Sequence, residues 1–241
     1  MISRLANNVI FAPITPFSIR RPPEIQEAIK ANWSKFEESN KDKIVYNGDV
    51  IYVTDIKTKH NTFILEIGKG KYSDMLFAKA SGKIITHSLF CASYIKTTDD
   101  QIGFVFDNGN RLNTIGGMAD ISDMVDGLFD PERCLARELC EELGVNIRDD
   151  KLFCSFSAKY LKHVGASQNT IPVFPVGVLY EILSNLPKEE LENELRNAHA
   201  NVKERGIKPV FIEKSKLSCV SSFENRVGYI DELCELIALD K

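Results

Sequence analysis

Nowhere in the 241 residues is there an apolar run long enough to cross a bilayer, which takes about 20 residues. The stretch from Met1 to Phe17 is broken by Arg4, Asn7, Asn8, Pro13 and Pro16, so it lacks the apolar core of a secretory leader. A cytoplasmic protein without a membrane partner is the expectation. An excess of positive charge is also missing: the formal net charge is −4. Binding along a phosphate backbone needs a concentrated basic surface, so a nucleic-acid partner is not expected. Cysteine is sparse, six in all, without the density of a disulfide scaffold. Cys91, Cys134, Cys140, Cys154, Cys219 and Cys234 therefore read as reduced, buried and structural. No C-x-x-C pair occurs, which argues against zinc. Repeats and low-complexity tracts are absent too.

What remains is 44% hydrophobic and 27% charged, a balance that can bury a real core. Ile25, Ala28, Ile29, Trp33 and Phe36 recur at spacings of three and four, predicting a helix from Pro23 to about Ser39. Short β-like runs follow at Val50 to Asp55 and Thr62 to Ile67, ended by the Gly68 to Gly70 breaker. Residues 1–85 thus read as a small α+β extension. Strands are expected near Leu89 to Lys96, Gln101 to Asp107, Leu152 to Ser157, Val173 to Ile182 and Val210 to Ile212. Helices are expected at Pro131 to Leu143, Pro187 to about Lys203 and Arg226 to Leu239. Strands interspersed with helices argue a layered α/β arrangement over 86–241.

The helix from Pro131 carries the chemistry. Asp130 can cap it, Pro131 suits its first turn, Glu132 complements its dipole and Gly144 stops it. With Glu138 taken as zero, Glu141 falls near 300° and Glu142 near 40°, so three carboxylates share one sector. Leu135, Leu139 and Leu143 lie together at roughly 60° to 140° and form a core-facing stripe. Like charges at these spacings repel, unless a cation or a basic side chain compensates. A hard cation such as Mg²⁺ does so with carboxylate oxygens and completes its shell with substrate phosphate and water. The plain alternative is a solvated acidic helix face.

Arg137-Glu138-Leu139-Cys140-Glu141-Glu142-Leu143-Gly144-Val145 resembles the second half of the Nudix box, Arg-Glu-hydrophobic-x-Glu-Glu-x-Gly-hydrophobic, at every specified position. Upstream, Gly116-Gly117 and Asp123 resemble its opening, where a glycine is followed by an acid. Two departures stand out. Asp123 takes the place of the family's glutamate, and thirteen residues separate it from Arg137 where the family has seven, so Met124 to Asp130 holds an insertion.

The resemblance implies a Nudix-type α/β/α sandwich with a mixed sheet over 86–241, preceded by the 1–85 extension. It implies Mg²⁺-dependent cleavage of a phosphoanhydride in a nucleoside diphosphate linked to a further moiety, a nucleotide sugar being one candidate, with Mn²⁺ as a substitute ion. Glu138, Glu141 and Glu142 would ligate the metal, with Asp123 as a further candidate ligand. Glu141 or a residue of a later loop would act as general base, and Arg137 would orient a glutamate through an ion pair. Gly116 and Gly117 would let backbone approach the substrate. His163, in the polar stretch Lys162 to Thr170, is a candidate substrate contact or a plain surface histidine. The partner is a small-molecule nucleotide, and a homodimer stays open. The competing reading is a Nudix-fold binding or regulatory module with reduced catalysis, motivated by Asp123 and the insertion. A calcium loop through Asp120, Asp123, Asp126 and Asp130 fails on ligand spacing.

Overall fold

A computed structural model describes residues 2–5, 9–13, 22–42, 45–59, 62–82, 87–162, 176–198, 202 and 206–240. His163, the first residues of the strand expected from Val173 and the 85/86 boundary lie outside the described residues. No helix among the described residues is long and apolar enough to cross a membrane.

The hub is strand β5 (His87–Lys96), buried from Ser88 to Ile95, which is why its sequence is almost continuously apolar rather than alternating. One edge runs parallel to β12 (Val176–Ser184) from Leu89 to Lys96. Its other edge serves three antiparallel partners in turn. These are β3 (Asp49–Lys59) at His87 and Ser88, β8 (Ile115–Met118) at Phe90 to Ser93, and β6 (Gln101–Phe106) at Ile95 and Lys96. Strand β6 carries β13 (Lys208–Glu213) and the short β7 (Leu112–Asn113).

The longest path through the sheet is β1 (Ile2–Arg4), β11 (Phe153–Lys162), β12, β5, β3, β4 (Thr62–Lys71) and β2 (Val9–Phe11). Both ends of this path therefore belong to the first eleven residues. If the sheet were flat, six spacings of about 4.8 Å would part its edges by about 29 Å. The chain from Arg4 to Val9 can reach about 18 Å at most. The sheet must curl, and bulges in β11 and β3 help it to do so.

Inside the curl lies helix α3 (Pro131–Leu143). Leu135, Leu139 and Leu143 pack there with Ile51, Val53, Leu65 and Ile67 from one half of the sheet and Leu161, Val178 and Ile182 from the other. Helix α4 (Lys188–Ala198) adds Leu191 and Leu195 to the same core. On the opposite face, α5 (Ile230–Leu239) buries Ile230, Leu233, Cys234 and Ile237 against Phe90, Ala92, Tyr94 and Leu179. The result is a mixed α/β fold with helices on both faces of a curled sheet.

Helix α1 (Pro23–Ser39) forms over the predicted span and packs on α2 (Tyr72–Ser81), which local periodicity does not announce. Part of the reason is a remote cap: the Ser73 amide donates to Asn47 Oδ1 at 2.8 Å, across 26 residues. The C-terminal helix starts at Ile230 rather than Arg226. Arg226 instead makes a two-pronged ion pair with Asp231, both contacts at 2.7 Å, and donates to the Phe223 carbonyl. Three cysteines depart from the buried expectation, since Cys140, Cys154 and Cys219 are exposed. Cys140 sits on the side of α3 away from its leucine stripe.

Candidate active site

Asp130 starts α3 by accepting hydrogen bonds from the Glu132 and Arg133 amides at 3.0 and 3.2 Å. Gly144 ends it with φ 74°, a left-handed conformation that glycine adopts without Cβ strain, and its amide donates to the Cys140 carbonyl. Between these caps the leucine stripe fixes the rotation of the helix. The face turned toward β8 is acidic, and Glu138 and Glu142 are buried there, at 6% and 8% exposure.

Two glycines let backbone and carboxylates come together. At Gly116, φ is +143° and an added Cβ would lie 2.2 Å from the Cys91 carbonyl oxygen, so a side chain is excluded. At Gly117 a Cβ would lie 2.5 Å from both oxygens of Glu138, whose carboxylate rests against that bare backbone. The Gly116 amide donates to Glu142 Oε2 at 3.0 Å. The glycine pair thus forms the cradle of the acidic face.

Arg137 joins the remaining acids. Its Nε and Nη2 donate to the two oxygens of Asp123 at 3.1 and 3.0 Å, the bidentate geometry that a guanidinium favours. Nη1 donates to Glu138 Oε1 at 2.6 Å and to Glu141 Oε2 at 3.2 Å, and Nη2 also reaches the Met118 carbonyl. Asp123 accepts a further hydrogen bond from the Asp120 amide at 2.9 Å, and its side chain is 1% exposed. Burial opposes the Arg137 charge, but the Asp123 hydrogen bonds and the Glu138 charge outweigh it and hold its pKa above the usual value.

The thirteen residues between Asp123 and Arg137 do not separate the two. They contain a hairpin, β9 (Met124–Val125) and β10 (Leu128–Phe129), that returns the chain to its starting point, where the Asp130 amide donates to the Asp123 carbonyl at 3.0 Å. The inserted length is absorbed locally.

Asp123, Glu138 and Glu141 are bound together by one guanidinium, with Glu142 beside them on the Gly116 amide; Glu138 and Glu142 are the buried glutamates. Their hard oxygens suit a divalent cation, and the Gly117 cradle leaves the Glu138 carboxylate against bare backbone. Among the described residues, no three His, Cys, Asp or Glu side chains converge as a metal-ligand group. Glu138 and Glu141 turn to Arg137, and Glu142 turns to the Gly116 amide.

Beyond β8 lies a second polar cluster that no local sequence pattern announces. The Tyr229 hydroxyl lies 2.6 Å from Thr114 Oγ1, two residues before Gly116. Burial pushes the Tyr229 phenol up to about 12, with Thr114 opposing and the Glu142 charge adding to the rise. Lys162 Nζ stands 5.5 and 5.8 Å from the ring centres of Tyr229 and Phe90. Burial lowers its amine to about 8, against the pull of Glu232. The Cys134 thiol is held well above its ordinary pKa by the adjoining Cys91 thiol and by burial, which leaves it inert.

No family model matches the sequence, and no curated protein matches it. Among solved structures, Tm1382 matches at 14% identity over 86% of this chain and 94% of its own, with TM-score 0.44. MutT of Aliivibrio salmonicida and Vibrio cholerae matches at 11% identity, over 63% and 97%, with TM-score 0.41. A NUDIX hydrolase from Nitrosomonas europaea matches at 13%, over 62% and 86%, with TM-score 0.40. The likeness is thin in sequence and concerns the fold alone.

Proposed function

We propose that this protein is a Nudix-type pyrophosphohydrolase that uses a divalent cation, Mg²⁺ or Mn²⁺, to cleave a phosphoanhydride in a nucleoside diphosphate linked to a second moiety. One observation carries this reading. The Arg-Glu-x-x-Glu-Glu helix lays its carboxylates against the bare Gly116-Gly117 backbone, where Asp123, Glu138 and Glu141 share a single guanidinium and Glu142 accepts from the Gly116 amide.

Glu138, Glu141 and Glu142 would hold the cation, which when bound neutralises phosphoryl oxygens and activates water. Asp123 has both oxygens engaged by Arg137 and Asp120, which suits it to anchoring Arg137 rather than to ligation. Arg137 in turn sets the orientation of Glu138 and Glu141. The Gly116 amide fixes Glu142. Glu141, the more exposed of the two glutamates on Arg137 at 24%, keeps access to water and is assigned as the proton acceptor. The Gly116-Gly117 backbone lies where a phosphate would approach the acids. A nucleotide sugar is the proposed substrate class, and a small molecule rather than a polynucleotide follows from the acidic balance.

The test is hydrolysis of a panel of nucleotide sugars, dinucleotides and nucleoside triphosphates with Mg²⁺. Turnover is expected for at least one class, and Glu142→Gln should lower kcat by about 10²- to 10³-fold, since cation clamping is worth several kcal/mol. Tight nucleotide binding without turnover in the wild type would replace the enzyme with a binding module.

A further inference from the structure

Residues 1–85 touch the loop of the acid site from two sides. On one side, the Ile51 amide donates to the Ala119 carbonyl at 3.1 Å and Val50 pairs with Asp120 in an antiparallel bridge. On the other, the Phe11 ring of edge strand β2 meets Phe129 edge to face, with ring centres 4.8 Å apart. Between these contacts hangs the loop that carries Asp123.

The hairpin that Phe11 touches has two unlike faces. Asp126 (φ 51°) and Gly127 (φ 81°) turn it tightly. Phe129 is buried and its cross-strand partner Met124 packs on the same core, while Val125 and Leu128 face solvent at 40% and 48% exposure. Among the described residues the hairpin is therefore buried on its inner face, and Phe11 packs on that face. At its base, Asp123 has three N–H donors spread over its two oxygens. Hydrogen bonds weaken steeply with misalignment, so a carboxylate this fully engaged passes any shift of the loop directly to Arg137.

We propose that Phe11 is a positioning residue of the acid site, bracing Phe129 and the hairpin so that Asp123 holds Arg137, and Arg137 holds Glu138 and Glu141, in place for a divalent cation. This rests on reading the acidic face as a cation site. It gives the N-terminal region a task in that site: the extension is a brace for the loop.

The experiment titrates Mn²⁺ alone into the full-length protein and follows free Mn²⁺ by electron paramagnetic resonance. A graded series, Phe11→Leu, Phe11→Val and Phe11→Ala, is compared with Phe129→Ala and with the double substitution. Ile237→Ala, in the core on the opposite sheet face, supplies a comparable loss of packing remote from the loop. Phe11→Ala is expected to weaken Mn²⁺ binding about tenfold, the lower end for groups that support metal ligands indirectly. Phe11→Leu should restore most of the affinity, and the double substitution should be no weaker than the worse single one. Ile237→Ala should lower Tm and leave affinity unchanged. Wild-type affinity throughout the Phe11 series, or an equal loss in Ile237→Ala, overturns the brace. A wild type that binds no Mn²⁺ removes the cation site itself, and the brace with it.

Discussion

Phe90 and Cys91 are neighbours on β5, yet they face different interiors. Cys91 looks toward α3, where the leucine stripe packs beside four carboxylates and a guanidinium. Phe90 looks toward α5, where the core is apolar apart from a few polar groups, Lys162 and the Tyr229–Thr114 pair foremost. One sheet thus supports a face organised by packing and a face organised by charge. The contrast separates packing alone from packing joined to charge. The α5 side is held by groups whose loss costs packing, while the α3 side has its own apolar core and also maintains a repulsive cluster that packing alone would not favour.

The sharpest break of this contrast comes at Arg137. Arg137→Met removes a cation that Asp123, Glu138 and Glu141 share, and leaves the buried Asp123 without that charge beside it. Breaking a buried ion pair from one side costs about 3–5 kcal/mol. Chemical denaturation should show a loss of that order, with hydrolysis falling by at least about tenfold, as for other groups that orient metal ligands. Arg137→Lys should recover only part of both, because an ammonium cannot make the two-pronged contact with Asp123.

Gly117→Ala probes the cradle without touching charge. The new Cβ would sit 2.5 Å from the Glu138 oxygens, and since these end a flexible side chain, the carboxylate shifts rather than the fold. Stability should change by less than about 1 kcal/mol. Activity should drop by about tenfold or more, as misplaced reacting groups do. Steady-state kinetics together with a melting curve separates the two effects.

The effect on the apolar face has the opposite sign. Lys162 has a folded pKa of about 8, below the unfolded value of about 10.4. The unfolded chain therefore binds more protons between these values, and stability rises with pH through that window. Lys162→Met, which keeps a flexible apolar side chain between the rings of Phe90 and Tyr229, should stabilise the protein by about 2 kcal/mol at pH 7. That gain should shrink as pH climbs from 8 to 10.4. Urea unfolding across this range checks both the size and the trend.

The acid helix was legible in the sequence because everything that defines it is local. Asp130, Pro131 and Gly144 set its ends, and a spacing of four sets the leucine stripe. The main strands were legible for the same reason, though β3, β4 and β11 run beyond their predicted ends. What could not be read depends on residues far apart in the chain. Asn47 caps α2 across 26 residues, and Tyr229 reaches Thr114 across 115. The curl of the sheet follows from β1 and β2 joining opposite ends of one path, which no local pattern encodes. Asp123 is the instructive middle case. Its doubled spacing from Arg137 read as a reason for doubt, yet a tight hairpin cancels that spacing in space. The Asp126-Gly127 turn was the available signal.

Glu138, Glu141 and Glu142 are proposed to gather a divalent ion at the Gly116-Gly117 backbone. Anomalous diffraction from crystals equilibrated with Mn²⁺ tests this most directly. The predicted result is a peak within about 2.5 Å of carboxylate oxygens from at least two of these glutamates. A featureless map there at saturating Mn²⁺, with Arg137 still bridging Glu138 and Glu141, would contradict it.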